Sequence, residues 1–327
     1  MYLFIHTIQQ FSFVFYQITN FILLYLIWKK ARALLGPFRY LMSTFSVYSI
    51  VYNYVDIITH PLVLIEKQMY VVINHGPLRY TEWFGFVLVC MFGASFGLCI
   101  SLLCTEFIFR YIVICRHNYR KYIDGHRILL LFIFPFVISV TWFFFCYFGL
   151  TITSEKRRIL KIPFMNNYEE DSEKLMFAGG LYWSVDQNGV KNWCIRDCLA
   201  SLGLTVLMGI CCSTILFCGV NTYHKMKELR TSLSKQTAAL NNQLFLTLTL
   251  QTLLPFLLMY APVGLLFFLP LFEINLGFLA SSSAASTAIY PALEPLIAIF
   301  CINLFRNVVL CNKKKNAVYD LSSTAVQ

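Results

Sequence analysis

Of the 327 residues, 58% are hydrophobic and only 13% are charged, about half the charged share of a soluble domain, so most of this chain is built for lipid. The net charge of +10 does not describe a nucleic-acid binder, because the basic residues sit in short segments between apolar runs. Most of the twelve cysteines fall inside those runs and read as small hydrophobes, and the six scattered histidines give no zinc spacing. No metal or other cofactor is implied.

The apolar runs predict an all-α membrane protein: a seven-transmembrane helix bundle over residues 1–303, then a short tail, 304–327. A helix needs about 20 residues to cross the hydrocarbon, and seven runs supply them. The spans fall at about 8–28, 40–65, 83–115, 127–150, 199–222, 243–269 and 276–303. The first residues, MYLFIHTIQQ, lack the basic start and cleavage pattern of a secretory signal, so the first span is expected to do the targeting. With the N-terminus outside, the inner segments hold seventeen of the basic residues and the outer ones nine. The positive-inside rule therefore predicts an outer N-terminus and a cytosolic C-terminus.

The second span carries Asp56, with His60 one turn further out. An acid in a span is costly and so draws attention. The two residues suit either a ligand cavity that also binds protons or a polar hub bonded to neighbouring helices. The third span is the longest and most apolar. Cys90, Gly93, Gly97, Ser101 and Thr105 recur at helical spacing, giving one face on which another backbone can come close. This predicts a central, buried helix; a lipid-exposed anchor is the alternative. At its inner end Glu106 and Arg110 stand four apart and can pair across a turn. Arg110 equally suits a snorkelling arginine that fixes topology.

Residues 151–198 form the one long hydrophilic segment, with an acidic cluster at Glu169, Glu170 and Asp171. It either folds over the outer mouth or stays a solvated loop. Cys194 and Cys198 are the cysteines clearly outside, where a disulfide can persist, joined to each other or one of them to Cys90. In the sixth span Pro255 and Pro262, and in the seventh Pro291 and Pro295 around Glu294, remove backbone donors; they read as pivots or as static bends. In the tail, Leu304, Phe305, Val308 and Val309 can form the apolar face of an interfacial helix, and Cys311 suits palmitoylation or a plain thiol.

Four stretches carry a family likeness: LGPFRYLMSTFSVYSIVY (Leu35–Tyr52), FIFRYIVI (Phe107–Ile114), QLFLTLTLQTLLPFLLMYAPVG (Gln243–Gly264) and YPALEPLIAIFCINLFRN (Tyr290–Asn307). On these the chain resembles the nematode Str-type serpentine chemoreceptors, which are seven-helix G-protein-coupled receptors. The resemblance implies that Arg110 and Tyr111 stand in for the acid-Arg-Tyr switch of rhodopsin-like receptors, with Phe109 in the acid's place and Glu106 as its substitute. Tyr290, Pro291 and Glu294 then belong to the seventh-helix part of the switch. Gly85 stands where those receptors carry an outer cysteine, so their disulfide does not transfer.

The resemblance also implies a small, largely apolar ligand held between the outer halves of the helices. Asp56, His60, Cys90, Tyr260 and Ser286 are the candidate contacts. The implied partners are a heterotrimeric G protein, meeting Arg110, Tyr111 and the inner loop 223–243, and membrane lipid; the implied place is the plasma membrane of a sensory neuron's cilium. A transporter or ligand-gated channel is the competing class, but the sequence shows no internal repeat. A membrane hydrolase lacks clustered His and Asp, and a retinal pigment lacks a lysine in the seventh span. An epitope tag at the N-terminus is expected to bind antibody on intact cells, and one at the C-terminus only after permeabilisation.

Overall fold

The computed structural model describes residues 2–30, 35, 38–116, 118–119, 125–186, 188–229, 235–276 and 280–310. Helix α1 (Tyr2–Tyr25) runs on through a wide turn to Lys30, and α2 (Phe38–Thr59) follows. Strands β1 (Leu62–Glu66) and β2 (Met69–Ile73) lead to the long α3 (Glu82–Cys115). Helix α4 (Ile133–Phe144) is entered from a 3-10 segment and left through a wide turn ending at Gly149. Helix α5 (Ser154–Tyr168) and strands β3 (Phe177–Leu181), β4 (Trp183–Val185) and β5 (Lys191–Trp193) make up the long outer segment. Then come α6 (Ile195–Leu229), α7 (Lys235–Pro255), α8 (Ala261–Phe268), α9 (Ser281–Cys301) and the tail helix α10 (Asn303–Val309).

Among the described residues five helical stretches are long and apolar enough to cross a membrane, on α1, α3, α4, α6 and the α7–α8 rod. Helix α2 is more polar, but its Ser46, Ser49, Asn53 and Asp56 are buried among neighbours. The α7–α8 rod stays continuous through a widened turn, Phe256–Tyr260, lying between Pro255 and Pro262. Each proline lacks a backbone donor, and a widened turn lets the ladder re-form around the gap.

The expected helix to residue 65 is corrected: α2 stops at Thr59. Pro61 disfavours helical backbone at the residue before it, and His60 takes a left-handed φ of 41°. Residues 62–73 then fold back as a hairpin, and β3 adds to it in an antiparallel sheet of order β1-β2-β3. Both faces of this sheet are covered. Val63, Ile65, Tyr70 and Ala178 join the central core of the bundle. Leu62, Leu64, Val71 and Phe177 pack instead against Leu160, Phe164 and Tyr168 of α5. The segment 151–198 is thus a folded cap, and helix, sheet and bundle form three layers. After β2 the chain returns against the end of α2, where the backbone N–H groups of His75 and Gly76 both donate to the Thr59 carbonyl. A Cβ on Gly76 would lie 1.9 Å from the Ile58 carbonyl oxygen, so only glycine fits.

Lys156 pins the cap. The Thr153 side chain accepts the Lys156 backbone N–H and so starts α5. The Lys156 ammonium is buried, donating to the carbonyls of Thr151 (2.8 Å) and Gly179 (2.7 Å) and to Asp197 Oδ2 (2.5 Å). The same carboxylate oxygen accepts the Leu181 N–H at 3.0 Å. All three ammonium donors are used, and α5, β3 and α6 meet at one point.

Cys194 and Cys198 are free thiols, as is Cys90, which corrects the expectation of a disulfide. The Cys198 thiol donates to the Tyr182 carbonyl at 3.5 Å, while Cys90 is sealed in the bundle core. Replacing Lys156 by Met takes the buried cation from Asp197 Oδ2 and leaves that carboxylate with the half-exposed Arg196, at 3.3 Å from Oδ1, as its ionic partner. This is expected to cost about 3–5 kcal/mol and sharply lower the amount of receptor at the cell surface. Adding Asp197→Leu is expected to restore much of it, as flow cytometry on tagged receptor will show.

Candidate ligand cavity and switch

The small residues of α3 make room for side chains, Trp142 and Cys146, where their spacing predicts the approach of another backbone. Trp142 of α4 lies against them so closely that a Cβ on Gly97 would come within 2.7 Å of its indole. Ser101 and Thr105 turn their hydroxyls back onto the helix, donating to the carbonyls of Gly97 and Ser101, both at 2.8 Å. Above this contact lies an apolar cavity of about 80 Å³. Its roof is the inner face of the sheet, with Val63, Tyr70, Val72 and Ala178. Its walls are Val89, Phe92 and Phe96 of α3, Trp142 of α4, Leu204 of α6 and Phe267 of α8. No charged side chain lines it, and the Tyr70 hydroxyl is bonded to Ser201 at 2.7 Å. A space well below the ~300 Å³ of ordinary ligand sites suits a molecule of few heavy atoms.

None of the five candidate contacts lines this cavity, and Tyr260 lines a separate cleft among α3, α6 and α7. Cys90 is buried in the adjoining core. Tyr260 is one ring away, edge-on to Phe96 at 5.1 Å. Ser286 donates to the Leu258 carbonyl at 2.7 Å and so ties α9 to the widened turn of the sixth span. Asp56 is buried, and His60 faces α1, where it bonds Gln9 at 3.0 Å. The residues that do form the walls are plain hydrophobes, which no sequence motif distinguishes from core.

Deeper in the bundle, Glu294 is buried and accepts from Ser49 of α2 at 3.1 Å and from Gln251 of α7 at 3.0 Å. One carboxylate thus joins three helices. Gln251 was legible as an amide inside an apolar run, though its partner was not. Glu106 and Arg110 are both buried. The two charges act on each other across the turn without a direct salt bridge among the described residues, and the arginine's close contact there is a cation–π one. The Arg110 guanidinium sits over the Phe38 ring at 4.2 Å, and Phe38 stacks in turn on Phe109 at 6.0 Å. Nε and Nη2 of Arg110 make no hydrogen bond among the described residues. Tyr111 accepts from Arg116 at 3.2 Å and packs on Phe217 of α6.

Helix α9 includes Tyr290 and Pro291 in its backbone, but their side chains lie outside the described residues, as does Cys311. The tail helix α10 buries Leu304 and Phe305 and leaves Arg306 exposed, and the Asn303 N–H at its start donates to Gln243 of α7 at 3.1 Å.

A helical bundle with a capped apolar cavity at one end and a buried carboxylate and arginine toward the other fits the class of seven-helix membrane receptors. The model of the family described as "Serpentine type 7TM GPCR chemoreceptor Str" matches residues 5–310, and the chain belongs to that family. It is similar to serpentine receptor class r-10 of Caenorhabditis elegans, 30% identical over 93% of this chain and 90% of that one. The class r-10 receptor of Caenorhabditis briggsae is 28% identical over the same shares. The G-protein coupled receptor str-217 of C. elegans is 24% identical over 88% and 83%. Squid rhodopsin has the same fold, with a TM-score of 0.62 at 16% identity, covering 100% of this chain and 87% of that one.

Replacing Gln251 by Leu strands a buried carboxylate oxygen and is expected to cost about 1–3 kcal/mol. The melting temperature of purified receptor will report it.

Proposed function

We propose that this receptor takes a small, uncharged, apolar molecule into the cavity beneath the sheet and passes the signal to a heterotrimeric G protein at the Arg110 end. The sheet end then faces outward and the Arg110 end faces the cytosol, in the plasma membrane of a sensory cell, at its cilium. The charge distribution of the loops supports this orientation. The observation that carries the ligand reading is the cavity itself: wholly apolar walls without a charge to recognise an ion.

A ligand shifts the receptor only if it binds one state better than the other. A molecule too large for the resting 80 Å³ does so by favouring a state with parted walls. Phe96 is one of those walls, and it touches Tyr260 at the end of the widened turn of the sixth span. Movement there reaches α7, whose Gln251 holds Glu294, and so the shared bond to α2. Helix α2 begins at Phe38, the ring under Arg110. In this reading Arg110 leaves that ring in the active state and, with Tyr111 and the loop 223–243, meets the G protein. Glu106, Tyr290, Pro291 and Glu294 complete the switch.

The test is a screen of small apolar compounds with a second-messenger readout, run on wild type, Ala178→Leu and Arg110→Ala. The larger side chain of Ala178→Leu fills the cavity from its roof. It is expected to raise the half-maximal concentration about tenfold or more, equivalent to ~1.4 kcal/mol of lost binding. Arg110→Ala is expected to reach the surface and fail to signal. Undiminished signalling by Arg110→Ala at equal surface density would end the switch assignment.

A further inference from the structure

Three of the six histidines, far apart in sequence, meet at the sheet end. His6 of α1 stacks on His60 at the end of α2, with ring centres 4.2 Å apart and planes 6° apart. His75, after β2, meets His6 edge-on at 5.1 Å. The His75 Nδ1 and the His6 Nε2 are 3.2 Å apart. Such a contact needs one nitrogen carrying a proton and one bare; two imidazolium rings would bring two N–H groups face to face. We propose that His6, His60 and His75 form a proton-binding site that loosens the start of α1 from the sheet end in acid, making acidity a second input to this receptor.

The surroundings favour the neutral cluster. From α1, Gln9 offers its side-chain oxygen to His60 Nδ1. From α2, the Asp56 carbonyl holds the His60 N–H at 2.8 Å, and the Asp56 carboxylate is buried one turn below. From the loop after β2, Arg79 brings a fixed positive charge. Past the end of α5, Glu170 lies 3.7 Å from His75 Nε2, but it also takes the Arg79 guanidinium at 3.1 Å and the Tyr80 hydroxyl at 2.7 Å. Its charge is therefore already shared.

Burial, then His6 and Arg79, push His75 down to about 4, and burial and Arg79 lower His6 as well. An ordinary histidine titrates near ~6.5. A lowered value means that the unfolded or loosened chain takes up protons more readily than the closed one. The stability this confers is complete above about 6.5 and is lost as the pH falls toward 4. The left-handed corner at His60 fixes the α2 side of the cluster, leaving the first turn of α1 as the part that yields.

The test uses full-length receptor in nanodiscs of uncharged lipid, without ligand, melted at pH 7.5 and pH 4.5. It therefore stands or falls independently of the apolar-ligand reading. Wild type is expected to melt about 5 °C lower or more at pH 4.5. His6→Phe with His75→Phe keeps two flat rings but removes their protons, and should lose most of that difference. An equal drop in the double variant, or no drop in wild type, overturns the proposal. Should the double variant fail to fold, His6→Phe alone decides: a drop about half that of wild type supports the site, and an undiminished one refutes it.

Discussion

One buried ammonium holds the sheet end of this receptor in place. Lys156 lies where water cannot reach it, and its charge is tolerable only because two carbonyls and the Asp197 carboxylate take all three of its protons. The partners come from separate stretches: the approach to α5, strand β3 and the first turn of α6. Without that junction α5 has no reason to lie on the sheet, and the sheet loses its outer face. The roof of the cavity would then be a bare hairpin, too small to be stable alone. A closed apolar cavity presupposes this contact.

The bundle below solves the opposite problem with few charges. Glu294 is one group answering to three helices, and Arg110 makes its closest described contact with a ring. A cation over a ring is held by less than a buried, hydrogen-bonded ion pair would be. Such a contact suits an element that must change partners. The widened turn near Tyr260 has the same character, a stretch of helix already off the regular ladder.

Much of this was legible because lipid makes sequence speak plainly. The long apolar runs, the small face of the third span, the costly acid at Glu294 and the apolar face of the tail each follow from what hydrocarbon forbids. The hairpin at 62–73 escaped because both its faces are buried. Without alternation, LVLIEKQMYVVI continues the apolar pattern of the helix before it. Pro61 and the polar Glu66-Lys67-Gln68 corner were the signals available. Lys156 looked like any other outer cation, since burial is set by the layers around it. The ring beside Arg110 was hidden for a related reason: spacing names Glu106 as the neighbour along the helix, while Phe38 arrives from another one.

The roof over the cavity has a kinetic meaning. Its strands are covered above by α5 and below by the bundle core, so parting them would break two packed layers at once. The outer faces of the helices carry exposed apolar side chains such as Phe136, Leu202 and Leu257. On the proposed ligand reading, a small apolar guest would enter sideways from the bilayer, between helices, and not through this roof. Membrane solubility of the proposed ligand, more than its concentration in the surrounding water, would then govern how fast the chamber fills.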